Sequence, residues 1–403
     1  PPPLPPPPPG PEVALGASGG GSVGAAHGSA AGNPLSGRAM WIWELPAANH
    51  GNLSSIVATA KRYGVGTLLI KSSDGSSMWS QFTPQLVATL HAGGLRVCAW
   101  QYVYGSHPGT EADLGAVAVK DGADCLVIDA ESEYEGKYVS AQTYISQLRA
   151  QVGANYPLAL AGFPYVDYHP GFPYSVFLGP GGAQSNAPQM YWKDIGTTTD
   201  AVFAHTYAYN LIYGRPIFPL GQVYSSPPAH QIFRFRELSR AYGASGVSWW
   251  DWQEATPSQW NAVSRPAGVL SGYQPTMTMA AIKQGAAGDL VVWAQEHLLS
   301  AGYSVGVDGG FGRSTRRAVL AFQAAHTLTA DGIIGPATWQ TLLHYRPARI
   351  IWSAKGGARP AIASAAVAGG GRAAVTRVAP VPSSASRAAK RDEIPGSPGA
   401  GRP

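Results

Sequence analysis

Short apolar, aromatic-rich runs alternate along this chain with longer stretches whose apolar positions recur every three or four residues. The strand-length runs are Met40–Glu44, Thr67–Lys71, Arg96–Val103, Cys125–Asp129, Leu158–Phe163, Gln189–Trp192, Ile217–Leu220 and Gly246–Trp250. Between most of them the helical period holds, over Leu53–Tyr63, Pro84–Ala92, Glu111–Lys120, Ala141–Val152, Asp200–Leu211 and His230–Tyr242. Strands that alternate with helices predict a parallel sheet joined by crossover helices. Eight strands between residues 38 and 265 match an α/β fold of the (β/α)8, TIM-type barrel class. An open doubly wound sheet is the rival, but no G-x-G-x-x-G follows the first strand.

The texture changes from about Gln284 to Tyr345. Asp308–Thr315 and Asp331–Thr338 share the pattern D-G-x-[FI]-G-x-x-T, 23 residues apart. Each copy predicts an Asp-Gly turn, an inward apolar side chain and a helix start. With helices expected at Leu290–Ser300, Thr315–Ala325 and Pro336–His344, the segment reads as a small all-α, three-helix domain. The chain thus divides into a Pro/Gly/Ala-rich segment (1–37), a barrel (38–265), a linker (266–283), the helical domain (284–345) and an Ala/Arg/Pro-rich tail (346–403). Both ends bury too little apolar surface to offset chain entropy and are expected to be disordered.

Composition alters this picture in one respect. Of the 403 residues 13% are charged, with a formal net charge of +5. From Arg346 onward there are ten Lys/Arg and two Asp/Glu, a net of +8, so the remainder carries −3. The body is mildly acidic, which argues against nucleic acid as partner. Cys98 and Cys125 form no metal-like spacing and read as two buried free thiols. No run of about 18 apolar residues predicts a membrane span. No secretory signal is visible, although the chain opens on Pro1 rather than on a methionine.

The candidate chemistry lies at the C-terminal ends of the expected strands, where barrels of this class gather their sites. Those ends carry Glu44, Lys71 with Asp74, Gln101 with Tyr102, Asp129 with Glu131, Tyr165, Tyr191 and Asp251. Alternation along a strand puts Asp129 and Glu131 on one face. Paired carboxylates at a buried strand end suit acid/base cleavage of a glycosidic bond; solvated loop acids are the alternative. Lys71, Asp74, Trp100, Tyr102, Tyr165, Gln189, Tyr191 and Trp250 are the candidate substrate contacts. The aromatics among them, and Trp43, serve either as platforms for sugar rings or as barrel core. Ten histidines include no H-E-x-x-H or H-x-H, so a zinc hydrolase is disfavoured and no cofactor is expected. The cysteines lie within strands, away from any helix start, and there is no G-x-S-x-G.

Residues 284–345 resemble the three-helix peptidoglycan-binding domain appended to many bacterial wall enzymes. The resemblance runs through Leu290, Gln295, Leu298, Val307-Asp308-Gly309, Phe311-Gly312, Thr315, Phe322-Gln323, Asp331-Gly332, Gly335-Pro336 and Thr338-Trp339. It implies binding to wall glycan or stem peptide. The barrel resembles the family 25 glycoside hydrolases, the muramidase barrels, through Leu69–Gly75, Val97–Tyr104, Leu126–Glu131 and Trp249–Gln253. It departs from them at strand one, where Met40-Trp41-Ile42-Trp43-Glu44 replaces a D-V-S-type sequence and Glu44 has to stand in for the Asp. At strand two Asp74 replaces Glu.

This resemblance implies that Glu131 is the general acid, its pKa raised by an enclosed site. Asp129 would stay ionised and either stabilise the oxocarbenium-like transition state or orient a 2-acetamido group. Glu44 and Asp251 would tune that pair, and Glu133 is a loop acid nearby. The D-x-E is shared with chitinase-type barrels. The reading is therefore a wall-associated, extracellular glycan hydrolase with peptidoglycan as partner and a monomer by default. The competing reading is a barrel that binds wall glycan without turnover.

Overall fold

The computed structural model describes residues 32–353 and, as backbone, 357–360. In chain order the first half of the barrel comprises β1 (Gly37–Ile42), α1 (Leu53–Arg62), β2 (Thr67–Asp74), β3 (Ser77–Met78), α2 (Pro84–Ala92), β4 (Arg96–Val103), α3 (Pro108–Lys120), β5 (Cys125–Ala130) and α4 (Tyr138–Val152). The second half comprises β6 (Leu158–Ala161), α5 (Tyr174–Phe177), β7 (Ser185–Asn186), α6 (Trp192–Ile195), α7 (Thr199–Asn210), β8 (Leu220–Gln222), α8 (Ala229–Ala241), β9 (Gly246–Trp250) and α9 (Pro257–Ser264). The parallel order is β7-β6-β5-β4-β2-β1-β9-β8, with β3 folded back on β2. Parallel bridges Asn186↔Ile217 and Gln189↔Leu220 close the ring between its two ends. The chain is a (β/α)8 barrel.

Residue alternation sorts the strands into two layers. Met40, Ile42, Leu68, Ile70, Val97, Leu126, Ile128 and Leu160 pack outward under the helices. Trp41, Leu69, Cys98, Trp100, Tyr102, Cys125, Val127, Ala159 and Trp250 fill the interior. Burial on both faces is why these strands read as continuous apolar runs. The helices start where local chemistry says they should. Thr83 accepts from Leu86 N ahead of Pro84, and Thr256 with Gln259 forms a capping box.

Three expectations are corrected here. Cys98 and Cys125 are not free thiols: they are disulfide-bonded inside the barrel. The register of β4 on β5 sets them directly opposite each other, which sequence spacing cannot reveal. The sixth barrel strand is Ser185–Asn186, not Gln189–Trp192. Polar Ser185-Asn186 followed by Pro188 gives no apolar signal, and Trp192 instead opens the short helix α6. Part of the segment expected to be a disordered tail pairs as an antiparallel hairpin, β10 (Ile350–Ser353) with β11 (Gly357–Pro360). The rest of that tail, and the opening polyproline run, lie outside the described residues.

The helical domain comprises α10 (Asp289–Ser300), α11 (Arg313–Ala325) and α12 (Pro336–Leu342), lying in sequence between α9 and β10. The repeated Asp-Gly turns have a common clasp. Gln295 Nε2 donates to Asp308 Oδ1, Gly310 O and Thr315 Oγ1 while its Oε1 accepts from Asp308 N and Gly309 N. Gln323 repeats this on Asp331, Ile333 and Thr338. The domain is keyed to the barrel by α10. Buried Asp289 accepts from Tyr138 OH (3.0 Å), Ser175 N (2.8 Å), Ser175 Oγ (2.7 Å) and Tyr213 OH (2.8 Å). Trp293 Nε1 donates to Ile212 O at 2.8 Å. Among the described residues no helix is long and apolar enough to cross a membrane.

Candidate active site

Strand β5 delivers the central pair. Cys125, Val127 and Asp129 alternate inward, and Glu131 follows just beyond the strand end, before a single 3-10 turn at Ser132–Tyr134. Asp129 is 3% exposed and Glu131 6%. From two strands away, just after β7, Gln189 bridges them. Its Nε2 donates to Asp129 Oδ1 at 2.8 Å and to Glu131 Oε1 at 3.0 Å. Two carboxylates are thus tied by one amide at the end of a buried strand.

A cation stands beside them. Lys71 is 1% exposed and pairs with Asp74 Oδ2 at 2.6 Å. Its ammonium lies over the rings of Trp79 (4.3 Å), Trp100 (5.0 Å) and Trp43 (5.9 Å). Tyr104 OH donates to Asp74 Oδ1 at 2.9 Å, and Tyr102 OH to Glu133 Oε2 at 3.0 Å. Beneath, Trp41, Trp100 and Trp250 pack in tilted and edge-to-face pairs with ring centroids 5.3–5.8 Å apart. Trp100 Nε1 is spent on Ile42 O. Trp100 and Trp250 thus form a packed floor rather than free-standing platforms.

The electrostatics correct one expectation. Burial pushes the Asp129 carboxyl well above the usual carboxylate range, and the Glu131 charge pushes the same way. Lys71 and the Gln189 hydrogen bond oppose that shift but do not cancel it. The surroundings thus disfavour the ionised form of Asp129, where the sequence led us to expect it to stay ionised. Asp251, 2% exposed, has its carboxyl raised by burial to about 7, partly offset by the hydrogen bond from Glu254 N and reinforced by the charges of Glu254 and Glu44.

The remaining candidates divide. Tyr191 is buried among negative charge from Asp129, Glu131 and Asp251 and sits edge-on to Tyr224, 5.3 Å away, so it belongs to the cluster. Tyr165 does not. It stacks on His205 at 3.8 Å, in the layer outside the barrel interior. Glu44 is exposed ahead of a 3-10 turn and reaches the site only as a charge near Asp251. Gln101 turns outward to Glu111 O. Sequence reasoning overlooked Trp79, Gln81 and Tyr224. Gln81 Nε2 ties Trp43 O to Lys71 O, the two strand ends beneath the cation. Tyr224 OH donates to Asp194. One signal was readable: Trp79 and Gln81 lie in the loop just past β3, and such loops often carry functional side chains.

Comparison with known proteins bears on the two domains unequally. Residues 287–342 match the family described as "Putative peptidoglycan binding domain". A zinc D-Ala-D-Ala carboxypeptidase of Streptomyces albus G is 36% identical over 94 residues, 22% of this chain and 35% of the carboxypeptidase. The chain thus spans about a third of that relative's length. Among solved structures, a GH18 chitinase from Pseudoalteromonas aurantia shares 14% identity at a TM-score of 0.44, covering 56% of this chain and 97% of the chitinase. The Bacillus cereus spore cortex-lytic enzyme SleL shares 11% at 0.44, covering 57% and 73%. Neither of these two is named as a family 25 muramidase, and the chemistry below rests on side chains alone.

Proposed function

We propose that this chain, which carries a peptidoglycan-binding domain at residues 287–342, is a wall-associated glycan hydrolase that cuts a glycosidic bond with the Asp129–Glu131 pair. The observation that carries the reading is the single Gln189 amide donating to both buried carboxylates. A purely structural pair of acids at a strand end would be solvated or matched by a cation each. Here the pair is buried and joined, and burial favours a proton on it, the state from which an acid/base catalyst would act.

The proton leaves from Glu131, which lies nearer the mouth, to the departing glycosidic oxygen as the bond to the anomeric carbon breaks. Asp129, beside Lys71, carries the pair's negative charge while Glu131 holds the proton, and it faces the positive charge that develops on the sugar. Water then adds to the anomeric carbon and returns its proton to the pair. Tyr102, Tyr191 and the Lys71–Asp74–Tyr104 array surround this centre with donors and ring faces suited to a sugar. The muramidase-type assignment rests on the residue-level resemblance at strands two and four. Export is supported by the interior disulfide, which oxidising compartments favour.

One observation favours a second reading, a glycan-binding barrel without turnover. Asp74, the acid of the strand-two motif, is spent on Lys71 and Tyr104. The deciding experiment incubates the full chain with purified bacterial peptidoglycan and measures new reducing ends beside Glu131→Gln. Loss of a positioned general acid should cost about 10²–10⁴-fold in rate while pelleting with walls is retained. Equal release by both proteins sinks the assignment of Glu131. Wall pelleting with no release by either moves the conclusion to the binding reading.

A further inference from the structure

Helix α10 carries a second buried carboxylate that the proposed hydrolysis does not use. Glu296, two turns beyond Asp289 on the same helix, is 4% exposed. Among the described residues its carboxyl has no hydrogen bond and no ion pair. It lines a pocket at the seam between the domains that neither builds alone. The other walls include Gln142 and Ser146 of α4, Ser175 of α5, and Arg349 and Trp352 from the tail. The space is about 60 Å³, several times what one water requires but too small for a sugar ring.

The groups facing Glu296 leave it unserved. Asp289, whose charge acts on it, has the same sign and is already saturated by Tyr138, Ser175 and Tyr213. Gln142 Oε1 is taken by Trp352 N at 2.7 Å. Arg349 is exposed and makes no ion pair with it among the described residues. An unpaired buried carboxylate is costly, and burial together with the Asp289 charge pushes this one well above the usual range. Among the described residues no cation pairs with it, and the pocket opens a route for one from outside. A single carboxylate does not suit Ca²⁺, which takes six to eight oxygens. A monovalent head group on a short apolar stem does fit, with the Trp352 indole, itself 4.2 Å from Tyr138, as an aromatic wall.

We infer that this seam pocket is a ligand site for a primary ammonium group, with Glu296 as its counter-ion. The ligand class is an alkylammonium, such as the amino end of a diamino-acid side chain in a wall peptide. The inference does not depend on whether the barrel cleaves glycan.

The test uses the full chain with n-butylammonium chloride as probe, and n-butanol and potassium chloride as controls, followed by calorimetry at pH 7 and pH 8. Saturable one-to-one binding of the ammonium alone is expected. It should release protons at pH 7, seen as a dependence on the buffer's ionisation heat. Glu296→Gln should weaken binding at least about tenfold, the worth of one charge-assisted hydrogen bond. Ser146→Trp, at an exposed rim position, should block the pocket by bulk and decides the matter if Glu296→Gln fails to fold. Peptidoglycan cleavage should be unchanged in both variants, which separates this site from the barrel's. No saturable binding by the native chain, or unaltered affinity in the folded variants, overturns the inference.

Discussion

Replacing Gln189 by Leu is the most discriminating perturbation of the barrel centre. The side chain is 3% exposed and of similar volume to leucine, so the change removes two hydrogen bonds (2.8 and 3.0 Å) with little loss of packing. Both bonds go to carboxylate oxygens and favour ionisation, and each such bond is worth about 1.5–3 kcal/mol. Part of that loss is recovered because Lys71 still acts on Asp129. With one pKa unit equal to about 1.4 kcal/mol, the upper apparent pKa of the pair should rise by roughly 1–2 units. The pair must hold a proton to act as acid, so the basic limb of kcat/KM against pH follows that upper value. The assay is reducing-end release from peptidoglycan across pH 4–10. The basic limb should move upward by roughly one to two units, with the maximum lowered about 10- to 100-fold as the carboxyls lose their common tether. A folded variant whose basic limb stays in place refutes the view that Gln189 sets the protonation of the pair.

Lys71→Met should act in the same direction, since it removes the positive charge that opposes the rise of Asp129; an unshifted basic limb would separate Lys71 from the catalytic pair. Asp289→Ala strands three hydroxyls and one N–H at about 1–3 kcal/mol each, against the cost of keeping a buried carboxylate whose pKa is raised to about 6. Because the folded-state value lies above the unfolded one, Asp289 contributes most below pH 4 and loses that contribution as pH rises through 6. Urea unfolding should therefore show a penalty larger by about 2.4 kcal/mol at pH 4 than at pH 7, and a pH-independent penalty contradicts the burial argument. The double substitution Cys98→Ala/Cys125→Ala opens a loop of sequence separation 27. Loop entropy predicts a loss of about 3–4 kcal/mol in unfolding free energy, and unchanged stability would show that the barrel alone constrains those strands.

The barrel was legible because its signal is local. Apolar runs two faces deep alternate with amphipathic helices, and six of the barrel helices start and end within a few residues of their sequence positions. The exception is instructive: β7 is two polar residues held by neighbours on both sides, through Ala159↔Ser185, Leu160↔Asn186 and Asn186↔Ile217. Asp129 and Glu131 were legible as a pair because strand alternation is a rule of two residues. Their partner was not derivable in the same way. That Gln189 reaches both from beyond the neighbouring strand, or that Lys71 lies among three tryptophans, depends on which strands become neighbours and at what stagger. The disulfide belongs to the same class of fact: nothing in the 27-residue spacing says that β4 and β5 align Cys98 with Cys125.

The seam between the domains had a sequence signature of another kind. A surface helix of a small domain keeps a polar stripe, whereas a helix apolar on all sides is buried on all sides. Leu290-Val291-Val292-Trp293-Ala294 covers more than a full turn without a polar residue, and every side chain from Asp289 to Leu298 is buried. Three short helices alone cannot enclose such a segment, so the run demands a second surface, and the barrel supplies it through Tyr138, Ser175, Ile212 and Tyr213. The polar residues inside that run are then the informative ones. Asp289 and Gln295 are each saturated by donors or turns, so burial costs them little. Glu296 is buried on the same helix without any such partner among the described residues, and that contrast is what the proposed ammonium ligand would answer.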